Sequence, residues 1–146
     1  MSARTFSRGL AMLATLALAA TLAATAGTQP IPQRNRVVIQ VSDGDASKWN
    51  LALNNARNLQ TDLGESNVEI EIVAYGPGIG MLKLDSPVGN RIGEARDAGV
   101  KVMACENTMK AQKLGRADML SGIGYVGAGV VEIMQRQQEG WAYLRP

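Results

Sequence analysis

The sequence predicts an α/β protein with a mostly parallel sheet of about five strands and helices on both faces. Short apolar or alternating runs alternate along the chain with stretches of helical spacing, in the order β-α-β-α-β-α-β-α-β. Glycines at 64, 99 and 140 stand where predicted helices end. Such alternation requires crossover connections between parallel strands, which put helices above and below the sheet. The length of 146 residues, 46% of them hydrophobic, fits one domain.

The N-terminus is typical of a secretory signal peptide at residues 1–26. Arg4 and Arg8 precede an uninterrupted run of Leu, Ala, Met and Thr at 10–24, and residues 24–26 fit a small-x-small cleavage site. A retained membrane anchor is the alternative, but a spanning helix needs about 20 apolar residues. We therefore expect a mature chain in the bacterial periplasm or secreted, with no membrane association after cleavage.

Residues 27–35 contain two prolines and are predicted to be a linker, and 36–146 to be the folded domain. A largely apolar strand is predicted at 36–41, followed by a turn at 42–45. Residues 48–63 have helical spacing. The apolar stripe of this helix comprises Trp49, Ala52, Leu53, Ala56, Leu59 and Leu63.

The second strand is predicted at 68–74 and is followed by a glycine-rich loop at 75–80. A helix is expected from about residue 86 or 88 to 98, then a short strand at 99–104 and a helix from 106 to about 114. A strand at 125–126, a helix at 128–138 and a terminal strand at 141–144 complete the pattern. The apolar side of the last helix is predicted to comprise Val130, Val131, Ile133 and Met134.

Composition excludes several classes of function. The chain has no histidine, which excludes Ser-His-Asp and Cys-His catalysis and the usual zinc sites. Without Arg4 and Arg8, the 15 basic residues fall to 13 and equal the 13 acidic ones. A neutral chain gives no electrostatic reason to expect a nucleic-acid partner. No cofactor or metal site is predicted.

Cys105 is the only cysteine, and it stands between a predicted strand and a predicted helix. Backbone N–H groups and the helix dipole at such a junction favour the thiolate, which is the reactive form. Most free cysteines are instead small buried apolar residues. Both interpretations stay open. We also expect Glu106 to disfavour the thiolate and to pair with Lys110 at i,i+4.

Three loops leave the carboxyl ends of predicted strands, where open parallel sheets bind ligands. They bring candidate binding residues to the edge that carries Cys105. Asp43 and Gly44 are either part of a site or of a turn and helix cap. The glycines of the second loop lack a dinucleotide or P-loop pattern, so we expect them to approach Cys105 closely. The candidates are Asp43, Gly44, Tyr75, Gly76, Gly78, Asn107 and Thr108.

Four segments occur in the order and spacing typical of one known family. They are residues 38–45, 68–78, 104–109 and 138–146. Between the first two segments, the predicted helix adds Trp49, Leu53, Asn54, Asn55 and Asn58. On these segments the chain resembles the DsrE/DsrF-like sulfur-relay family, in its exported branch.

The resemblance implies a flavodoxin-like three-layer α/β/α sandwich that assembles into homotrimers or homohexamers. It also implies that Cys105 matches the cysteine that carries a persulfide in the sulfur-trafficking members. The leading hypothesis is thus a periplasmic, sulfurtransferase-like carrier between a donor and an acceptor that the sequence does not identify. The alternative is a non-catalytic oligomeric scaffold or small-anion-binding protein with a structural Cys105. A Cu(I) site built from Cys105 and methionines is a third hypothesis, for which the spacing shows no ligand cluster.

Overall fold

The computed structural model describes residues 34–146, so the predicted signal peptide and all but the end of the linker lie outside the described residues. Five strands and four α-helices form this part of the chain, with three short 3-10 helices between them. In chain order the main elements are β1 (Asn35–Val41), α1 (Ala46–Leu63), β2 (Val68–Ala74), α2 (Gly89–Asp97), β3 (Lys101–Cys105), α3 (Glu106–Ala111), β4 (Gly124–Val126), α4 (Gly129–Gln138) and β5 (Ala142–Leu144). The 3-10 helices are Glu65–Asn67, Gly76–Leu82 and Arg116–Asp118.

The sheet confirms the predicted fold class. All five strands are parallel, in the spatial order β4-β3-β2-β1-β5. The chain steps from β1 to β4 in one direction and then returns across the sheet to place β5 beside β1. Right-handed crossovers therefore put α1, α2 and α3 on one face, called the α1 face, and α4 on the other, called the α4 face. The result is a flavodoxin-like three-layer sandwich.

The larger core lies on the α1 face. Helix α1 buries four positions of the predicted stripe, Trp49, Ala52, Leu53 and Ala56, whereas Leu63 is exposed. Asp45 begins this helix as its N-cap, because its Oδ1 accepts a hydrogen bond from the Ser47 N–H at 2.8 Å. The strands contribute a row of aliphatic side chains, namely Val37, Ile39, Val41, Ile70, Ile72, Ala74, Val102 and Ala104.

The α4 face has a smaller core, and it corrects the predicted apolar side of the last helix. Only Ile133 of the four predicted residues is buried, whereas Val130, Val131 and Met134 are 57%, 43% and 50% exposed. The physical reason lies in the sheet, which presents the buried carboxylate of Glu71 beneath the helix. Helix α4 turns Arg136 toward this carboxylate, so much of its apolar side faces outward.

Several boundaries also differ from prediction. The glycine-rich loop continues as the 3-10 helix Gly76–Leu82, α2 begins at Gly89, and Cys105 is the last residue of β3. Trp141 is buried in the α4-face core, whereas Tyr143 in the edge strand β5 is exposed. Within residues 34–146, no helix combines the length and apolar character needed to cross a membrane.

Candidate functional site

The carboxyl ends of β3 and β4 form the point where the chain switches faces. Helix α3, which follows β3, packs through Met109 into the α1-face core, whereas α4, which follows β4, packs through Ile133 on the other face. A crevice opens between neighbouring strands whose helices diverge in this way, and ligands bind there in open α/β sheets. Cys105 and Val126, the last residues of β3 and β4, are paired at this crevice.

The Cys105 thiol is held by the turn that begins α4. Side chains alternate along β3, so Cys105 points to the α4 face. Its Sγ accepts a hydrogen bond from the Gly129 N–H at 3.3 Å and lies 4.0 Å from the carbonyl oxygen of Gly127. The residue is 4% exposed. The sulfur thus lies just beneath the surface, at the N-terminus of a ten-residue helix.

The hydrogen bonds favour the thiolate. Burial raises the pKa of the Cys105 thiol, but the Thr108 side chain and the Gly129 N–H act in the opposite direction, and the net pKa lies below the ordinary cysteine value. A lowered pKa increases the thiolate fraction near neutral pH. The hydrogen bonds therefore favour the ionised form of a thiol that is itself buried.

Thr108 links the glycine-rich loop to this thiol. Its Oγ1 accepts a hydrogen bond from the Gly76 N–H at 2.9 Å, so its own O–H is free to donate to the sulfur. Gly76 has a φ of 54°, which glycine adopts without strain, and its carbonyl accepts from the Gln112 side chain at 3.3 Å. The loop therefore acts on Cys105 through Thr108.

Replacing Thr108 by valine is expected to raise the apparent pKa of Cys105 by about 0.5 to 1 unit, because the variant keeps the shape but loses the O–H donor. The measurement is the rate of alkylation by iodoacetamide as a function of pH. Thr108→Ser keeps the hydroxyl and serves as the matched control, with a profile near that of the wild type. Coincident profiles for the valine and wild-type proteins would show that this hydroxyl does not act on the sulfur.

Asn107 and Tyr75 complete the surroundings of the sulfur. The Asn107 N–H donates to the Gly127 carbonyl at 3.1 Å, which ties the turn before α4 to the start of α3. The Tyr75 ring packs on Gly129, where an added Cβ would lie 3.1 Å from it. Among the predicted candidates, the structure therefore gathers Tyr75, Gly76, Asn107 and Thr108 around Cys105.

The remaining candidates lie elsewhere. Strand β2 separates β1 from β3, so the loop after β1 begins about 10 Å from the end of β3. In that loop the Asp43 carbonyl accepts from Trp49 Nε1 at 2.7 Å, and its carboxylate lies 3.7 Å from Arg145. Gly44 packs against Pro77. Asp43 and Gly44 thus take part in the loop structure and are not gathered around the thiol.

The expected close approach of the glycines to Cys105 is wrong for Gly78. A Cβ on Gly78 would lie 2.2 Å from the Val41 carbonyl oxygen, so this residue lets the loop pass directly over the end of β1. The loop must cross β1 here because β1 and β2 are neighbours and the 3-10 helix packs back over them. Gly78 is therefore a packing residue.

The expected Glu106–Lys110 pair is also replaced by another. The Glu106 carboxylate pairs with Arg116 at 3.0 Å, and that guanidinium lies 4.2 Å above the Tyr125 ring. The 3-10 helix Arg116–Asp118 returns toward the start of α3 and offers this partner, which the helical spacing alone does not reveal. The negative charge next to Cys105 is thereby partly compensated.

Sequence reasoning missed Gly127 and Gly129, the backbone partners of the sulfur. The sequence does contain a pattern that points to them, because residues 127–129 are Gly-Ala-Gly directly after a strand that ends at the same edge as Cys105.

A separate groove of about 430 Å³ lies between α1 and α2 and is lined by residues that include Leu53, Arg57 and Glu94. Cys105 does not line it, and none of the predicted site residues does.

Residues 35–146 match the DsrE/DsrF-like family. The chain is similar to the solved structure of a protein of unknown function, MTH1491 from Methanobacterium thermoautotrophicum, with 41% identity, coverage of 77% of this chain and 99% of that chain, and a TM-score of 0.73. A conserved protein of unknown function from Bacteroides thetaiotaomicron, BT1422, is 15% identical with a TM-score of 0.66 and covers 81% and 100% of the two chains. The ychN protein from E. coli is 15% identical with a TM-score of 0.62 and covers 77% and 99%. These last two show the shared fold. No curated protein matches the chain.

Proposed function

Because this chain belongs to the DsrE/DsrF-like family, which is generally associated with sulfur relay, we propose that it is a sulfur-handling protein that carries a persulfide on Cys105 between donor and acceptor thiols. The observation that carries the proposal is the hydrogen bond from the Gly129 N–H to Sγ at 3.3 Å. Together with the Thr108 hydroxyl, it stabilises negative charge on sulfur. The same donors suit the anion of a bound persulfide.

The transfer needs no external oxidant. The Cys105 thiolate attacks the outer sulfur of a donor persulfide, R–S–SH, a new S–S bond forms on Cys105, and R–S⁻ leaves with the electron pair of the old bond. With thiosulfate as donor, sulfite is the leaving group. An acceptor thiolate then attacks the outer sulfur of the Cys105 persulfide and regenerates the Cys105 thiolate. The pKa of the Cys105 thiol, which lies below the ordinary cysteine value, supports both half-reactions, since this sulfur is first nucleophile and then leaving group.

The test is intact-protein mass spectrometry of purified chain before and after exposure to polysulfide or thiosulfate. We expect added mass in steps of one sulfur atom that a reductant removes, and no addition to the Cys105→Ser variant. Circular dichroism of both proteins confirms that the comparison is between folded chains. A folded wild-type protein that gains no sulfur would contradict the carrier proposal.

One observation favours a second candidate function. Because Cys105 is 4% exposed, its side chain fits the buried, structural cysteine of a non-catalytic small-anion-binding or scaffold protein. In that case iodoacetamide labels the thiol only after denaturation, whereas a carrier is labelled in the native state. The Gly129 N–H and the Thr108 hydroxyl then bind a small anion in place of a persulfide.

Location and assembly are part of the proposal. Export to the periplasm or beyond rests on the signal-peptide pattern of residues 1–26. Self-association into a trimer or hexamer is supported by the exposed apolar side chains of α4 and by strand β5, whose three residues are exposed at the sheet edge.

A further inference from the structure

A fully buried carboxylate lies beneath α4, in the middle of the sheet. Glu71 is 0% exposed; its Oε2 accepts a hydrogen bond from Nε of Arg136 at 3.1 Å and forms an ion pair with Nη2 of the same guanidinium at 2.9 Å. Its second oxygen, Oε1, is equally buried and accepts no hydrogen bond. An unsatisfied buried oxygen is costly when the group is ionised, so the site favours a proton on Glu71.

A single guanidinium serves three carboxylates at this site. Besides Glu71, Arg136 pairs with Glu132 at 2.9 Å and with Glu139 at 3.1 Å. On the same face of the sheet, Lys101 is bound to Glu69 at 2.7 Å, and Arg36, stacked on Trp141, adds one further positive charge that contacts none of the three carboxylates. Negative charge on the carboxyls is therefore only partly compensated.

Glu71 and Glu132 compete for the same nitrogen of Arg136, because each lies 2.9 Å from its Nη2. Burial raises the pKa of Glu71 and the Arg136 guanidinium lowers it, while the neighbouring Glu132 carboxyl raises it again, so the net pKa lies above the ordinary glutamate value. A proton on the buried carboxyl removes the cost of an ionised oxygen that has no hydrogen-bond partner. Glu71 thus holds its proton at a pH where an exposed glutamate is already ionised.

The helical member of this pair, Glu132, lies about one turn from Gly129, the residue whose N–H binds the thiol. Glu132 stands in the first turn of α4, and its backbone N–H donates to the Ala128 carbonyl at 3.1 Å. Gly129, which directly follows Ala128 in the chain, donates its N–H to Sγ of Cys105. A displacement or a change of charge at Glu132 therefore acts directly on the turn that holds the sulfur.

We propose that Glu71 is a positioning residue for the Cys105 thiol, which acts through Glu132 and the first turn of α4, so that the charge of this buried carboxyl pair sets the reactivity of the thiol. When Glu71 holds its proton, Arg136 bridges Glu71 and Glu132 and seats α4 on the sheet, and the thiolate is favoured. When the proton leaves, two carboxylates repel each other beneath the helix and add negative charge near the sulfur. The inference rests on the proposed function, because it regulates the same thiol.

The test compares alkylation of the native protein by iodoacetamide across pH for the wild type and Glu71→Gln. Glutamine copies the neutral carboxyl and keeps an oxygen for Arg136. Glu71 is paired with Lys101, four residues before Cys105, so the two positions are about 14 Å apart. We expect the thiol profile of Glu71→Gln to move to lower pH by roughly 0.4 to 0.9 unit, as removal of one charge at about this distance gives at an effective dielectric constant of about 20 to 40. At acid pH, where Glu71 is protonated, we also expect wild-type alkylation to be faster than a single titration of the thiol gives. The Glu71→Gln variant is expected to follow a single titration.

Two further variants make the result decisive. Glu132→Gln removes charge from the other member of the pair on the helix, and we expect the same direction of shift even if Glu71→Gln folds poorly. Glu69→Gln makes the same charge change on the same face of β2, but Glu69 pairs with Lys101 and not with α4, so its profile stays near that of the wild type. Wild-type profiles for Glu71→Gln and Glu132→Gln would overturn the inference. Sulfur loading is a separate readout: shifted profiles without loading would reject the persulfide carrier and keep the positioning role.

Discussion

Replacing Gly78 by alanine is expected to lower the free energy of unfolding by more than about 3 kcal/mol. The added Cβ would lie 2.2 Å from the Val41 carbonyl oxygen and 2.7 Å from its carbonyl carbon. These are backbone atoms at the end of β1, so no side-chain rotation relieves the contact. The loop must move away from the sheet, which also pulls Gly76 from its hydrogen bond to Thr108.

Denaturant unfolding followed by circular dichroism measures this effect, with Gly93→Ala as the matched control. Gly93 lies within α2 and an added Cβ there meets nothing within 4 Å. The control is therefore expected to gain up to about 1 kcal/mol, because alanine is the better helix former. Equal stabilities for the two variants would contradict the close approach of the loop to β1.

Replacing Arg136 by methionine is expected to cost about 3 to 5 kcal/mol at neutral pH, because it leaves the Glu71 carboxylate buried without its partner. Lys101→Met is the control, since Lys101 is half exposed in its pair with Glu69, and such pairs contribute less than about 1 kcal/mol. In the double variant Glu71→Leu/Arg136→Met, most of the lost stability is expected to return, because no unpaired charge stays buried.

The pH dependence of the Arg136→Met variant follows from the raised pKa of Glu71. Below the ordinary glutamate pKa, this carboxyl is protonated in both the folded and the unfolded chain, and the variant incurs no charge penalty. As the pH rises, the unfolded chain ionises first, so stability falls until the pH has passed the folded pKa. Urea unfolding from acid to neutral pH measures this slope. A constant difference from the wild type at every pH would show that Glu71 is not the group left unpaired.

The two stability predictions separate the roles of the two faces. Gly78 and the 3-10 helix organise the α1 face and the loop that supports Thr108, whereas Arg136 and Glu71 seat α4, whose first turn supplies the Gly129 N–H. Both routes meet at the sulfur of Cys105. Two separate packing contacts, neither of them in β3 or α3, therefore position the hydrogen-bond donors of this thiol.

Local sequence determined the elements and their order. The alternation of strands and helices, the apolar stripe of α1, the cap at Asp45 and the carboxyl-end position of Cys105 are all properties of residues close together in the chain. Period, capping and turn residues express them directly, so the parallel three-layer fold followed from pattern alone. Cys105, Asn107 and Thr108 could be predicted as site residues for the same reason, because they lie on one strand and the helix that directly follows it.

Only the tertiary structure decided which distant residues contact these elements. Sequence places Asp43, Gly78 and Cys105 at one edge, but the strand order sets β2 between β1 and β3 and directs Gly78 against Val41. It brings Gly129 to the sulfur across 24 residues and Arg136 to Glu71 across 65. It also turned the expected apolar side of α4 outward. Contacts of this kind depend on which strands are neighbours and which face a helix covers, and no local pattern of residues encodes that choice.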